Sequence, residues 1–154
     1  MGDAPIMKLL LDTNILIDYH LRRQPFFNDL AKLIIAGAFG DVELWTSAKS
    51  YTDVFYVAGK FVDRKALQEA FLKSFELFNV CSIDFDDLSR AAGLSWSDFE
   101  DCLISVAAEK IKADFIITRN TVGFKESNIP ACSTSEILQL LETERGLRYE
   151  SVAL

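Results

Sequence analysis

The stretch KLLLD at residues 8–12 decides the fold class. It is a nearly continuous apolar run that ends on a carboxylate, Asp12, and this pattern is typical of a strand buried on both faces of a parallel sheet. Thr13 or Asn14 comes next and can cap a helix from Ile15 to His20. Because such a strand needs helices on both sides of its sheet, the opening of the chain predicts an α/β protein.

The rest of the chain continues this alternation of short apolar strands and amphipathic helices. Strands that alternate with helices imply βαβ units, so we predict a three-layer α/β/α sandwich around a parallel sheet of four or five strands. No repeat, linker or low-complexity tract interrupts the pattern. We expect one domain over residues 1–154, with residues 1–6 as a short leader and 145–154 as a tail without a clear pattern. The further predicted strands are 42–45, 80–83, 114–118 and 130–132, and the further predicted helices are 26–38, 47–60, 64–78, 87–94, 133–144 and one that Ser97 or Asp98 caps and that ends at Lys110.

The composition excludes several classes of protein. Half of the residues are hydrophobic and 12% are aromatic, which is ample for a core and unlike a disordered or fibrous chain. The apolar runs are far shorter than the roughly 20 residues that span a bilayer, and no signal peptide is recognisable, so we expect a cytoplasmic protein without a membrane partner. The three cysteines are widely spaced and there is one histidine, so we expect reduced core thiols rather than a zinc site.

The formal net charge of the chain is −7. This charge counts against a large, nonspecific DNA or RNA binder, because such proteins usually carry a basic face. The charge is compatible with an enzyme that binds a few nucleotides through metal ions, because some of the acidic residues would then be ligands of the metal. Any phosphate-binding surface is therefore expected to be small and local.

Several polar side chains fall where the predicted strands end. Asp12 closes the first strand and Asn120 follows the fourth, and ligand sites in open α/β sheets lie beyond the carboxyl ends of the strands. Asp98 and Asp101 are three residues apart in the first turn of a helix, so they share one face of it. Asp53 lies one to two turns into the helix after the second strand, and it reaches the same cleft if that helix packs beside the first strand.

Carboxylates gathered in one cleft repel one another unless a cation is present. Oxygen ligands without Cys or His favour Mg²⁺ or Mn²⁺ over zinc or copper. The chief use of such a site is to bind phosphate oxygens and to activate water against phosphorus. Taken singly, each acid is equally well explained as a helix cap or a favourable first-turn charge. Three independent acids at one end of the sheet are harder to explain in that way.

Five segments in this order resemble the PIN domain, in particular the members that carry a DFED-type turn. They are LLLDTNIL at 9–16, SAKSYTDVFYVAGK at 47–60, DFEDCL at 98–103, IITRN at 116–120 and IPA at 129–131. The tripeptide DTN alone is a weak signal. DTN, DFED and ITRN in this order and spacing are together a strong one, and the resemblance extends from residue 7 to about residue 141.

The resemblance implies a metal-dependent endoribonuclease that hydrolyses RNA phosphodiesters with Mg²⁺ or Mn²⁺. Many bacterial members are VapC-like toxins of toxin–antitoxin pairs and are often dimers, so it also implies a small antitoxin partner and a homodimer. An antitoxin would need an exposed apolar groove. The aromatic candidates for this groove are Phe26, Phe27, Phe55, Tyr56 and Phe61, although a core position is the better explanation for most of them.

The resemblance also implies a role for each matching position. Asp12 would be the first metal ligand, and Asp53 and Asp101 would be the second and third acids of the motif. Asp98, beside Asp101, would be a ligand or would support one. The family's second acid is often Glu rather than Asp, and its fourth acidic position is occupied here by Asn120, which lowers the charge of the site. The other predicted site residues are Asn14 and Thr118, which would orient a ligand or a water, and, as weaker candidates for holding the RNA backbone, Lys49, Arg119, Lys60, Arg22 and Arg23.

Two functions from different classes are open at this point. The first is the nuclease, which the intact Asp12, Asp53 and Asp101 favour. The second is a PIN-like RNA- or protein-binding module with weak or no catalysis. Asn120, which lowers the charge of the site, and the acidic surface are compatible with this second function. A receiver-type domain also gathers acids at strand ends, but it would need a lysine at the end of a late strand and an aspartate ending the third, so it is set aside.

Overall fold

A computed structural model of the protein describes residues 5–150. The chain begins with a strand and then alternates between helices and strands, as the sequence predicted. A 3-10 turn, Thr121–Phe124, follows the fourth strand. The strands are β1 (Met7–Leu11), β2 (Val42–Ser47), β3 (Asn79–Cys81), β4 (Phe115–Ile117) and β5 (Ala131–Cys132), and the helices are α1 (Thr13–Leu21), α2 (Phe26–Ala38), α3 (Ala48–Ala58), α4 (Arg64–Ser74), α5 (Phe85–Leu94), α6 (Phe99–Lys110) and α7 (Thr134–Arg145).

The five strands form one parallel sheet in the order β3-β2-β1-β4-β5. β1 lies in the middle and pairs with β2 on one side and with β4 on the other, where Leu11 lies opposite Ile117. The order reverses between β1 and β4, because the chain first builds outward through β2 and β3 and then returns to the other side of β1. The crevice beyond the carboxyl ends of the strands at such a switch point is the usual ligand site of an open α/β sheet. The predicted α/β/α sandwich with a parallel sheet is confirmed.

The core lies on both faces of the sheet, and β1 shows why its sequence is apolar throughout. Leu9, Leu10 and Leu11 are completely buried. Leu9 and Leu11 pack with residues of α1, α2 and α7 on one face. Leu10 packs with Ile104 of α6 on the other face. Since each side chain of a strand points to the face opposite its neighbour's, a strand covered on both sides needs an unbroken apolar run.

Some predicted boundaries were wrong. The helix expected to run to residue 78 ends at Ser74, whose hydroxyl donates to the Phe71 carbonyl at 2.7 Å. The backbone then turns, with Phe78 N donating to Ser74 O, and this turn carries Phe78 into the core. β3 starts at Asn79 and ends at Cys81, two residues earlier than expected. The 3-10 turn after β4 was not predicted, because it has no periodic pattern of its own.

The segment after α7 packs against the molecule as far as it is described. Gly146 caps α7 with a positive φ of 65°, and Leu147 and Tyr149 then contact the core. Residues 1–4 of the predicted leader and 151–154 of the predicted tail lie outside the described part of the chain. In residues 5–150 no helix is both long and apolar enough to cross a membrane. Cys81 and Cys102 are buried, Cys132 is half-buried, and none of the three forms a disulfide bond.

Candidate active site at the carboxyl edge of the sheet

Asp12 lies directly beyond β1, at the switch point of the sheet. Its side chain is only 6% exposed and caps α1, because its Oδ1 accepts a hydrogen bond of 2.8 Å from the Thr13 amide. Burial raises the pKa of Asp12, and the charge of Glu100 raises it further. Thr118, Thr13 and Lys49 oppose this shift but do not cancel it. A carboxyl group that the fold buries without full compensation is a candidate for binding a cation.

Thr118 and Asn14 hold the second oxygen of Asp12. Thr118 follows β4, is completely buried, and donates from Oγ1 to Asp12 Oδ2 at 2.8 Å. Asn14 Nδ2 lies 3.4 Å from Asp12 Oδ2 and 3.4 Å from Thr118 Oγ1. The backbone amide of Asn120 donates to Thr118 Oγ1 at 3.0 Å. The ends of β1 and β4 are therefore joined by a small polar network around one carboxylate, in which all three supporting residues of the sequence analysis take part.

The first turn of α6 brings a second group of acids to the same edge. Asp98 is the N-cap of this helix, and its Oδ1 accepts from the Asp101 amide at 3.0 Å. Burial raises the pKa of Asp101 to about 6, and the charges of Asp98, Asp12 and Glu100 add to that effect, against the opposing charge of Lys49. The charge of Asp12 reaches Asp101, and Lys49 acts on both, so the acids that follow β1 and begin α6 lie at the same edge of the sheet.

Gly123 lets the 3-10 turn approach this cleft closely. A Cβ atom at this position would lie 2.5 Å from Asp101 Oδ2 and 2.7 Å from Asn120 Nδ2, which is closer than a real Cβ contact. The absence of a side chain therefore leaves room for the Asp101 carboxylate and the Asn120 amide to lie next to each other. The sequence analysis overlooked this glycine, because a single glycine in a loop carries no specific signal.

Asp53 and Glu100 join the cluster through Lys49. The carboxylate of Asp53, in the second turn of α3, pairs with the ammonium of Lys49 one turn earlier. The same ammonium lies 3.0 Å from Glu100 Oε1. Glu100 was not among the predicted site residues, although its place inside the DFED turn, between Asp98 and Asp101, was a signal. Its charge acts on both Asp12 and Asp101.

The guanidinium of Arg119 is paired with a carboxylate inside the protein. Its Nε donates to Asp18 Oδ2 at 2.8 Å and its Nη2 approaches Asp18 Oδ1 at 3.3 Å. The guanidinium also lies 4.3 Å from the ring centroid of Phe26. Asp18 is completely buried in α1, so Arg119 compensates a charge inside the protein. Asp18 was not among the predicted site residues, because its partner is 101 residues away along the chain.

The three remaining cationic candidates show no contact with the acids of this edge. The Lys60 ammonium lies 4.2 Å from the ring centroid of Tyr56, and the Arg22 guanidinium lies 5.9 Å from that of Phe27. The charge of Arg23 acts on Asp18. Among the predicted cations, Lys49 is the one that the described structure places within the acid cluster.

A divalent ion fits the chemistry of this edge. The donors are carboxylate oxygens, and the pKa values of Asp12 and Asp101 are raised first by burial and further by neighbouring acids, two effects that a bound cation would offset. Within residues 5–150, no three His, Cys, Asp or Glu side chains converge tightly enough to enclose an ion by themselves. Mg²⁺ commonly binds through one or two carboxylates and keeps several waters, so the residues suit such a partly hydrated ion better than a fully enclosed one.

Comparisons with known proteins agree with this architecture. Among solved structures, the chain resembles VapBC2 from Rickettsia felis bound to a DNA fragment from its promoter, with 16% identity, a TM-score of 0.62, and coverage of 82% of this chain and 98% of that one. It resembles VapBC-1 from nontypeable Haemophilus influenzae, with 20% identity, a TM-score of 0.62, and coverage of 84% and 99%. A toxin–antitoxin complex from Klebsiella pneumoniae gives 23% identity, a TM-score of 0.57, and coverage of 82% and 97%.

These structural likenesses show the fold, because the identities are low. The comparison with curated protein sequences finds no match. The sequence model of the PIN domain, however, matches residues 8–122, which is well over half of the chain. That match spans β1, the acids of α3 and α6, and the polar residues after β4. The chain belongs to the PIN-domain family.

Proposed function

We propose that this protein is a metal-dependent endoribonuclease that hydrolyses RNA phosphodiesters. The observation that carries the proposal is the placement of two carboxylates from distant parts of the sequence at the switch point of the sheet: Asp12 is buried beyond β1, and Asp101 lies in the first turn of α6, where the charge of Asp12 adds to the raised pKa of Asp101. The family is one of toxin-like nucleases. An uncompensated acid cluster at the ligand-binding edge suits phosphate chemistry that runs through a divalent cation.

Asp12 and Asp101 would hold the ion most directly, because they are the two carboxyl groups whose pKa values the fold raises at this edge. Asp98 lies beside Asp101 and would add negative charge around the ion, whereas the carboxylate of Asp53 pairs with the ammonium of Lys49. Thr118, with Asn14 beside it, fixes the orientation of the Asp12 carboxylate. Asn120 would present its amide next to Asp101, beside Gly123.

When bound, Mg²⁺ or Mn²⁺ would lower the pKa of a water molecule and screen the nonbridging phosphate oxygens. The chain's own residues position the reactants. Thr118 keeps Asp12 in one rotamer, and the cap made by Asp98 fixes the first turn of α6 that carries Asp101. The one histidine of the chain, His20, lies eight residues after Asp12 near the other end of α1, about 12 Å away at the helical rise, so it is not the base.

The test of this proposal is a cleavage assay with a 5′-labelled structured RNA in the presence of Mn²⁺, Mg²⁺ or a chelator. We expect endonucleolytic products that need the metal and that disappear in Asp12→Asn, with a single-stranded DNA of the same sequence as the substrate control. Asp41→Asn, which changes an acid outside the cluster, is the matched variant control. Failure of the wild-type protein to cut RNA while it still binds RNA would favour the alternative, a catalytically silent PIN-like binding module.

We further propose that the protein is the toxin of a toxin–antitoxin pair, as its likeness to VapBC-1 and to the Klebsiella toxin–antitoxin complex suggests. A groove of about 580 Å³ between α1, α2 and α4 offers a place for the antitoxin. Its floor is apolar and its rim is charged, which suits an amphipathic helix. The lining includes Tyr19, Phe27, Ala31 and Ile34, with Arg22, Glu69 and Lys73 at the rim.

The aromatic residues predicted for an antitoxin groove do not all lie in this one. Phe27 lines it, whereas Phe26 lines a separate cavity with Arg119, and Phe55 packs against the core. Ala66, an exposed residue of α4 in the groove wall, offers a test. If a small protein is encoded next to this gene, its co-expression should yield a stable complex and suppress growth arrest, and Ala66→Arg should abolish both effects without lowering the melting temperature. Retention of the complex by Ala66→Arg would place the antitoxin elsewhere.

The predicted homodimer stays a prediction. The α5–α6 region leaves several large apolar side chains at the surface, and they are the natural candidates for a contact between two copies: Phe85 is 78% exposed, Leu94 is 49% exposed and Phe99 is 46% exposed. Sedimentation of the wild-type protein and of Phe85→Asp would decide whether this face pairs two chains.

A further inference from the structure

Lys49 occupies an unusual place for a lysine in an acid cluster. Its ammonium bridges two helices, because it contacts the Asp53 carboxylate on α3 and lies 3.0 Å from Glu100 Oε1 on α6. Its charge also acts on Asp12 and on Asp101. One ammonium group therefore contacts two carboxylates directly, and its charge also acts on two more.

This arrangement differs from an ordinary surface ion pair. A solvent-exposed pair between one lysine and one acid contributes little, because water competes for both partners. The side chain of Lys49 is only 26% exposed and has two acidic partners in contact. For comparison, Lys32 on α2 has one acidic partner, Asp29, at 3.9 Å and on the same helix. Lys32 thus represents the plain surface pair against which Lys49 can be measured.

We propose that Lys49 is a built-in cation of this centre, which neutralises the Asp53 and Glu100 side of the acid cluster so that the protein binds one divalent ion, on the side of Asp12 and Asp101. The inference rests on the proposed function and specifies its metal requirement. The ammonium contacts Asp53 Oδ2 and Glu100 Oε1, so it uses one oxygen of each carboxylate and places a positive charge where a second divalent ion would bind. Two cations cannot share these oxygens without strong repulsion, so a second ion would first have to displace the tethered lysine.

The position of Asn120 is consistent with a single ion. Asn120 stands beside Asp101 with a neutral amide, so no further negative charge is supplied on that side of the cleft. The acids left without a contacting cation are then Asp12, Asp98 and Asp101. The charges of Asp98 and Asp12 both act on Asp101, and one ion placed beside Asp12 and Asp101 would relieve that repulsion.

The experiment counts Mn²⁺ ions per chain by calorimetry and by the electron paramagnetic resonance signal of free Mn²⁺. We expect one ion per chain for the wild-type protein and two for Lys49→Gln, because the substitution removes the tethered charge and frees Asp53 and Glu100. Lys49→Arg keeps the positive charge and should bind one ion. Lys32→Gln removes a lysine from the plain surface pair and should also bind one. Melting curves without metal show that each variant is folded.

The outcomes separate this inference from the proposed function. Two ions per wild-type chain, or one ion per chain in Lys49→Gln whatever its affinity, would overturn the role of Lys49 and leave the metal-dependent nuclease intact. Binding of no Mn²⁺ by the wild-type protein at millimolar concentration would overturn both. A second ion that appears in Lys49→Gln and is absent in Lys49→Arg would establish the built-in cation, since the two variants differ in the charge at this position.

Discussion

Thr118 Oγ1 donates a hydrogen bond of 2.8 Å to Asp12 Oδ2, and this bond links the ends of β1 and β4 across 106 residues of sequence. Both side chains are buried. The bond lies at the point where the strand order reverses, so it holds the central carboxylate of the candidate site in the crevice where an α/β sheet binds its ligand. It also lowers the pKa of Asp12 against the effect of burial.

Removing this hydroxyl tests how much the site depends on that bond. Thr118→Val keeps the shape of the side chain but leaves Asp12 Oδ2 with one partner fewer, so the free energy of unfolding should fall by about 1–3 kcal/mol. The pKa of Asp12 should rise and Mn²⁺ binding should weaken, because the carboxylate is less readily ionised. Denaturant unfolding and calorimetry measure the two effects. Thr118→Ser keeps the hydroxyl and should behave like the wild type, and a Thr118→Val variant with unchanged metal affinity would show that Thr118 does not position Asp12.

The raised pKa of Asp101 predicts a pH dependence of metal binding. The carboxyl group of the metal-free protein takes up a proton below about pH 6, and an ion must then displace that proton. Mn²⁺ affinity should therefore be constant well above pH 6 and should weaken below it, by up to about tenfold per pH unit for one displaced proton. Calorimetry at pH 5, 6 and 7.5 measures this. In Asp101→Asn the remaining dependence should be shallower, and an equally steep dependence in that variant would assign the proton to another group.

We expect the loss of Arg119 to lower the stability of the protein more than it weakens RNA binding, because Arg119 pairs with the buried Asp18. Arg119→Ala leaves the buried carboxylate of Asp18 without its partner, which should lower the free energy of unfolding by about 2–4 kcal/mol, somewhat below the value for a fully buried pair. We discount that value because the Arg119 side chain is 33% exposed. The loss should be smaller at pH 5 than at pH 7.5, since Asp18, whose pKa burial already raises, can then be protonated.

The matched variant for this ion pair is Asp18→Asn combined with Arg119→Ala. If Arg119 serves chiefly to compensate Asp18, the double variant should recover most of the stability that Arg119→Ala loses, and it should bind RNA as the wild type does. Weaker RNA binding by the stable double variant would instead establish the phosphate contact that the sequence suggested for Arg119.

His20 should make the protein less stable in mild acid. Burial lowers its pKa to about 4, and within the described chain its Nε2 has no hydrogen-bond partner. The unfolded chain takes up a proton near pH 6.5 and the folded one only near pH 4, so the stability contributed by neutral His20 is lost as pH falls between these values. The rings of Tyr19 and Phe71 surround it edge-on, which suits an aromatic replacement.

His20→Phe should remove this acid sensitivity and should be more stable than the wild type at pH 5, as urea unfolding at pH 5 and 7.5 would show. Asp101 acts in the opposite direction over an overlapping range, because its raised pKa makes the folded state lose stability as pH rises from about 4 to about 6. The comparison is therefore best made in the Asp101→Asn background. Equal acid sensitivity with and without His20 in that background would contradict the assignment.

Much of the site was predictable from local patterns. Asp12 was predicted because an unbroken apolar run must end at the edge of a covered parallel sheet, and Asp98 and Asp101 were predicted because acids three residues apart share the first turn of a helix. Both signals lie within a few residues of sequence. The order of the strands, which brings β1 next to β4, had no such local signal, and it depends on how the whole chain packs.

The parts that could not be predicted are contacts between distant residues. Nothing near Lys49 in the sequence indicates that it bridges Asp53 and Glu100, and nothing near Arg119 indicates that it compensates Asp18. An exposed lysine or arginine and a buried one look alike in a single sequence, because burial is a property of the packed structure. The end of α4 was overestimated for a related reason, since its apolar period continues through residues 75–78 while the backbone turns toward the core.

The acids at the carboxyl edge of the sheet should form a divalent-metal site, and calorimetry of Mn²⁺ binding to the wild-type protein and to the double variant Asp12→Asn with Asp101→Asn tests this. We expect saturable binding by the wild type and its loss in the double variant, which should remain folded because both substitutions keep the shape of the side chain. Absence of binding by the wild type at millimolar Mn²⁺, or equal binding by the double variant, would contradict this expectation.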